Sequence, residues 1–342
     1  MTAHLFFIRL KQALSLVAGA CFTISASTMA AVPEEYEATG GHALAFGGSV
    51  ASGMGGASAI RTNPALLSIE KEYSVNGSYH WPVAGRDFYQ LGIVDSKTSA
   101  VAAGFSYTGA LDQYQGIAGS APKTESDAPS GIDLSLDTPV IRRASLAFSV
   151  PVGKIYAGFS GGYVEARPPE GTFSEYATQK IKGFTIGAGV AAHLSNALRV
   201  GISAENLANK KVQYLAPTFY RAGISYFFGD MGSIHGDFRR REAVSLYEGR
   251  TSSLSLQANA GDAAGVAKED LYNISASVKV YDLLRLVAAA GEVSDGVETR
   301  RQIAGGVSLI NQKFSFSYQA MRPEMAAETL HHALSLGIDV AM

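Results

Sequence analysis

The carboxyl-terminal eleven residues place Leu334, Leu336, Ile338, Val340 and Met342 on one face of an extended strand, and Ala333, Ser335, Gly337, Asp339 and Ala341 on the other. The same period-2 pattern recurs upstream. Val101, Ala103, Phe105 and Tyr107 alternate with small or polar residues, as do Phe184, Ile186, Ala188, Val190 and Ala192. Tyr220 to Tyr226, Tyr272 to Val280 and Phe314 to Tyr318 behave alike. One face of each segment is wholly apolar, while the other is mostly Gly, Ala and Ser with occasional charges. Strict alternation predicts strands, and lipid-facing against lumen-facing alternation is what a transmembrane β-barrel requires.

Connection lengths add an orientation. Short turns are predicted at Asp95–Thr98, Pro151–Lys154, Ser195–Ala197, Phe228–Gly232, Tyr281–Leu283 and Ile310–Lys313. Longer polar stretches are predicted at Ala110–Thr138, Arg167–Lys180, Ala208–Pro217, Ala243–Glu269 and Met321–His331. Short periplasmic turns and longer external loops are the outer-membrane arrangement. The alternating segments from Tyr73 onward predict an all-β, antiparallel barrel of about 14 strands, with 12 and 16 as alternatives. Ser252–Ala258 also alternates, and is read as external loop because a further strand would break the even parity. Aromatics near segment ends (Trp81, Tyr107, Tyr163, Tyr226, Phe228, Tyr281 and Tyr318) suit interfacial girdles, although strand propensity alone also favours them.

Composition narrows the class. Charged residues are 17% and hydrophobic residues 47% of 342 positions, against roughly 25% charged in soluble domains. A formal net charge of -2 gives no basis for nucleic-acid binding. Beyond the first thirty residues no apolar run nears the ~20 residues of a spanning helix. A membrane location therefore demands a closed barrel, since only helices and barrels satisfy all backbone polar groups in lipid. Residues 1–30 read as a signal peptide: Arg9 and Lys11, an apolar stretch from Ala13 to Ile24, then small residues around Thr28–Ala31. Cys21, the single cysteine, lies inside this segment.

Residues 31–71 break the alternation. The stretch from Gly40 to Ile69 is rich in small residues, and Asn63-Pro64-Ala65 predicts a helix start, with Asn63 as the cap and Pro64 in the first turn. Such a segment can thread a confined space. Gly55-Gly56-Ala57 through Asn63-Pro64-Ala65-Leu66-Leu67, directly ahead of the first strand, resembles the N-terminal hatch of the FadL-like outer-membrane family, the long-chain fatty-acid transporters. The stretch from Leu198 to Leu207 resembles a strand of the same group. The resemblance implies a fourteen-stranded barrel over 72–342, a hatch inside its lumen with Gly55, Gly56, Asn63 and Pro64 in hatch movement, and passive uptake of hydrophobic or amphipathic small molecules. It implies a bacterial outer-membrane monomer with lipid and a hydrophobic small molecule as its partners.

The candidate chemistry is sparse. No Ser/His/Asp set or G-x-S-x-G elbow is readable. The Gly-rich run at Gly53–Gly56 lacks the Lys-Ser/Thr ending of a phosphate loop. His331 and His332 point to opposite faces of one strand and make a poor metal clamp, so no cofactor, metal or catalytic residue is expected. Strand parity puts Arg221, His235, Asp237, Arg239 and Arg241 in the lumen. Arg221, His235, Arg239 and Arg241 are candidate contacts for a ligand carboxylate. The alternative is that they pair with Asp237, Glu205 and Glu242 and simply fill the wall. A structural or secretion-associated barrel with a periplasmic or surface protein partner is the competing functional reading.

Overall fold

The computed structural model describes residues 44–46, 51–53, 55–82, 88–110, 140–167, 181–209, 216–244, 266–281, 283–294, 299–311, 314–323 and 331–339. The expected signal peptide, the Ser252–Ala258 stretch and the last three residues lie outside them. Fourteen antiparallel strands close on themselves. They are β1 (Tyr73–Pro82), β2 (Phe88–Asp95), β3 (Ala102–Ala110), β4 (Val140–Val152), β5 (Ile155–Arg167), β6 (Ile181–His193) and β7 (Leu198–Glu205). The circuit continues with β8 (Thr218–Phe227), β9 (Gly232–Val244), β10 (Val266–Tyr281), β11 (Leu284–Ser294), β12 (Thr299–Ile310), β13 (Phe314–Pro323) and β14 (His331–Asp339). Every strand pairs with its sequence neighbours, and β1 closes on β14 with Val75 opposite Ile338 and Tyr79 opposite Leu334. Closure leaves no edge strand, which removes the row of unpaired amides that lipid cannot satisfy.

The two faces follow the alternation. Phe184 is 74% exposed, Ile274 67% and Leu336 52%, whereas Thr185, Ser275 and Ala333 between them are buried. Exposed aliphatic and aromatic side chains on most strands make a belt that only a bilayer would cover. Ile274→Arg on this belt is expected to cost about 2–4 kcal/mol if it lies at the bilayer midplane. Urea unfolding in lipid vesicles reads that cost. Unfolding at the parent's urea concentration would deny Ile274 a lipid contact.

Local chemistry sets the turns. Val152 pairs with Ile155 across Gly153-Lys154, and Gly153 has φ +63°, the left-handed conformation that two-residue hairpins need and glycine supplies. Strand ends differ from expectation at two of the long connections: β9 runs on to Val244 and β10 begins at Val266 inside the expected Ala243–Glu269 loop, and β13 runs on to Pro323 inside the expected Met321–His331 loop, so the polar residues Lys268, Glu269 and Arg322 belong to the wall. Polar composition there marks where the strand leaves lipid, rather than where the ladder ends.

Candidate functional site

The segment before β1 lies inside the barrel. It makes a 3-10 turn at Gly56–Ser58, one helical turn at Ala59–Thr62, and a 3-10 helix at Pro64–Ser68. The helix expected at Asn63-Pro64 is thus 3-10 and five residues long; Asn63 caps it by accepting from the Ala65 amide at 3.1 Å. Four-residue and five-residue helices cannot stand alone in water. Packing supplies the stability: Ile60, Leu66 and Leu67 are buried against Val94, Ala102, Ala147 and Ala191 of the wall. Each such side chain contributes roughly 1.5–3 kcal/mol on burial.

The fit depends on small residues facing inward. A Cβ at Gly158 of β5 would lie 2.2 Å from the Ala65 nitrogen, and one at Gly201 of β7 would lie 2.0 Å from the Ala51 oxygen. A Cβ at Gly189 of β6 would strike the Asn63 side chain at 2.0 Å. The Gly/Ala-rich inward set is therefore a mould for the segment, and not merely a lining for an open lumen.

Polar groups of the wall then hold the segment's backbone. Ser149 donates to the Ala65 carbonyl at 2.9 Å and Ser203 to the Thr62 carbonyl at 2.5 Å. Arg199 donates to the Gly53 carbonyl at 3.2 Å, and the Ala51 amide donates to Asp237 at 3.0 Å. Asn63 Nδ2 donates to the Ala51 carbonyl at 2.7 Å, joining the two halves of the segment. Nearer the chain start, Asn273 donates to the Phe46 carbonyl at 2.6 Å and Gln319 accepts from the Ala45 amide at 2.9 Å. Irregular backbone at membrane depth has its amides and carbonyls satisfied here by lumen side chains.

The strongest clamp centres on Glu205 of β7. Its carboxylate meets Arg61 of the segment at 2.9 Å, Arg143 of β4 at 3.0 Å and Arg221 of β8 at 2.7 Å, all with side chains at most 5% exposed. One anion thus ties the segment to two separate wall strands. Buried charges persist when they are paired and hydrogen-bonded in this way.

The residues singled out from sequence separate into three groups. Gly55, Gly56 and His235 border a cavity, described below. Asn63, Pro64 and Arg221 belong to the docking face. Arg239 pairs with Glu269 at 3.3 Å, and the Phe219 ring lies 4.9 Å from the Arg221 guanidinium and 5.6 Å from that of Arg239. Arg241 is buried on the inward side of β9, next but one to Arg239. The expected pairing thus holds for Arg221 with Glu205, while Arg239 takes a carboxylate that was not expected, Glu269. Two of the expected partners differ. Glu242 sits on the outward face and meets Lys268 at 3.8 Å, because its parity matches Phe238 rather than Arg239. Asp237 accepts from the Ala51 amide. Arg61, Arg143 and Arg199 escaped the sequence reading; inward parity on β4 and β7 was the available signal for the last two.

A cavity of about 530 Å³ remains beside the segment. Phe46, Gly53, Gly55 and Gly56 form one side, and β1, β2 and β8 to β14 the other. It reaches the short-turn end of the barrel, where Gly229, Asp230 and Leu283 line it. Serines from several strands, His235, Glu70, Glu72, Lys279 and Arg285 make the wall mixed in polarity. His235 is held at Nδ1 by Ser225 (2.6 Å) and at Nε2 by Ser233 (2.7 Å), with the Phe46 ring edge-on at 5.2 Å.

No protein-family model and no curated protein matches the chain. Solved structures do. A toluene transporter of Ralstonia pickettii, TbuX, is similar with a TM-score of 0.57 at 13% identity, over 89% of this chain and 98% of that one. The monoaromatic hydrocarbon channel CymD gives 0.55 at 14%, over 88% and 96%. The Pseudomonas putida toluene transporter TodX gives 0.55 at 13%, over 87% and 96%. At these identities the likeness concerns fold. The chain has the fold of the monoaromatic hydrocarbon channels, the barrel that the FadL-like resemblance of its Asn63-Pro64-Ala65 segment implies.

Proposed function

We propose that this protein is a bacterial outer-membrane barrel for passive uptake of hydrophobic or amphipathic small molecules. In this reading residues 1–30 are a signal peptide, 31–71 a hatch, and 72–342 the barrel of a monomer, and the protein needs no catalytic group. The observation that carries the proposal is the cavity between the docked segment and the opposite wall, because a plug that filled the lumen would leave no route. Its lining of serines, charged groups and the Phe46 and Phe227 rings suits solutes with a polar end better than pure hydrocarbons. The similar solved structures are described as toluene or monoaromatic hydrocarbon channels, which supports transport over the partner-dependent structural role.

Gly55 and Gly56 lie on the cavity side, and Gly56 has φ +70°, so a change of path there is locally accessible. Asn63 and Pro64 anchor the other side. His235 lines the cavity and is the candidate contact for the polar end of a solute, whereas Arg221 and Arg239 are engaged with Glu205 and Glu269. Uptake of labelled fatty acids and aromatic solutes is expected to be several-fold faster in cells carrying the gene than in cells lacking it. Equal uptake for every solute would overturn the transport reading.

A further inference from the structure

Among the described strand residues, charge on the outward face is confined almost entirely to the long-loop end. Strand parity places Arg142 of β4 outward, directly opposite Glu165 of β5, which in turn lies opposite Lys182 of β6. On the other side of the barrel Arg240 is opposite Asp270, Glu242 opposite Lys268, and Glu292 opposite Arg301. Arg240 grips Asp270 with two bonds of 2.8 and 2.7 Å. Arg322 of β13 also faces outward, across from Ile303. The result is a collar of alternating sign in which cations outnumber carboxylates. At the short-turn end the outward face stays apolar, with Val152, Ile155, Tyr226, Leu309 and Phe314 all exposed. Among the described strand residues, Asp95 is the outward charge there.

An aromatic row fixes the height of the collar. Tyr163 and Phe184 touch at 5.2 Å, two residues toward the membrane centre from Glu165 and Lys182. Phe238 and Tyr272 touch at 5.2 Å, two residues in from Arg240 and Asp270. The Trp81, His332 and Tyr318 rings stack on the β1–β14–β13 side. Such rings settle at the hydrocarbon boundary. Two strand residues span roughly 7 Å, and each headgroup layer is on the order of 5–8 Å deep. The Glu165–Lys182 and Arg240–Asp270 pairs therefore fall within the headgroup layer of the leaflet at the long-loop end, with Glu242–Lys268 two residues further out.

We infer that this collar seats phosphate-bearing lipid headgroups of the external leaflet. Arg142, Arg301 and Arg322 are exposed, and a guanidinium matches phosphate with paired hydrogen bonds. Lys182 and Lys268 add point charges. The interleaved carboxylates limit repulsion between the cations and hold them at cross-strand spacing. A collar that merely stood in water would need neither the net positive sign nor a place directly beyond the aromatic rings. The inference does not depend on what the lumen carries.

The test uses the purified full-length barrel in micelles of a phosphate-free maltoside detergent, with and without a diphosphorylated glycolipid, and separately with inorganic phosphate. The glycolipid is expected to raise the unfolding temperature by several degrees, and inorganic phosphate to leave it unchanged. In the fourfold variant Arg142→Gln, Lys182→Gln, Arg301→Gln, Arg322→Gln the rise should fall by at least half. In Glu165→Gln with Glu292→Gln it should persist or grow. No rise in the parent protein, an equal rise with inorganic phosphate, or an undiminished rise in the fourfold variant would overturn the inference. The parent comparison decides the matter even if the fourfold variant does not fold.

Discussion

Glu205→Ala is expected to destabilise the barrel by about 3–5 kcal/mol, the cost of removing one partner from a buried ion pair. The carboxylate neutralises Arg61, Arg143 and Arg221 in one buried site. Without it three guanidinium groups stay crowded together with no counter-charge. Water must then enter the site, or the segment must withdraw Arg61. Arg61→Ala should cost less, about 1–3 kcal/mol, because Glu205 keeps two cations. Trp81, the single tryptophan, sits on the outward face of β1 and reports barrel unfolding by fluorescence. Urea midpoints for the parent and both variants, measured in lipid vesicles, give the order: parent most stable, Arg61→Ala next, Glu205→Ala least. A Glu205→Ala midpoint equal to the parent's would show that the clamp holds nothing.

Gly158→Val is expected to leave the barrel intact and expel the docked segment. The strand itself gains a β-branched residue, which fits a pleated surface. The added Cβ, however, meets the Ala65 nitrogen at 2.2 Å and the Pro64 carbonyl carbon at 2.3 Å. Both are backbone atoms, so no side-chain rotation relieves the clash. The docking face would lose the burial of Ile60, Leu66 and Leu67, on the order of several kcal/mol in all. Trypsin reads the outcome, because Arg61 is buried in the parent and becomes accessible once the segment leaves. Cleavage after Arg61 should appear in the variant within minutes, with unchanged β-type circular dichroism. Conductance across a planar bilayer should rise several-fold in the same variant. Protection of Arg61 equal to the parent's would sink the prediction.

The barrel was legible from the sequence because its two faces meet two different solvents. Phe184 and Ile186 face lipid while Thr185 faces the lumen, and that contrast is written residue by residue at period 2. The Asn63-Pro64 start was legible for a similar reason: a cap and a fixed φ act over a few neighbouring residues. Gly158 and Gly189 were less legible. On strand parity they read as generic lumen lining, and their role as a mould appears only where another part of the chain touches them. The Glu205 clamp was less legible still. Arg61, Arg143 and Arg221 come from the segment, β4 and β8, at separations of 144, 63 and 16 residues for their hydrogen bonds to Glu205 or its neighbour Asn206. The alternative that the lumen arginines pair with carboxylates holds for Arg221 and Glu205, and fails for Glu242, whose parity with Phe238 turns it outward.

By itself the sequence determined the strands, their two faces, the even-numbered closed barrel and a non-barrel segment ahead of it. All of these follow from local alternation, turn chemistry and the demand that a backbone in lipid satisfy its own hydrogen bonds. Tertiary structure alone decided which lumen charges pair, which glycines make room for the segment, and where a cavity survives beside it. Those outcomes depend on barrel closure, which brings distant strands around one shared interior and makes contacts that no local pattern encodes.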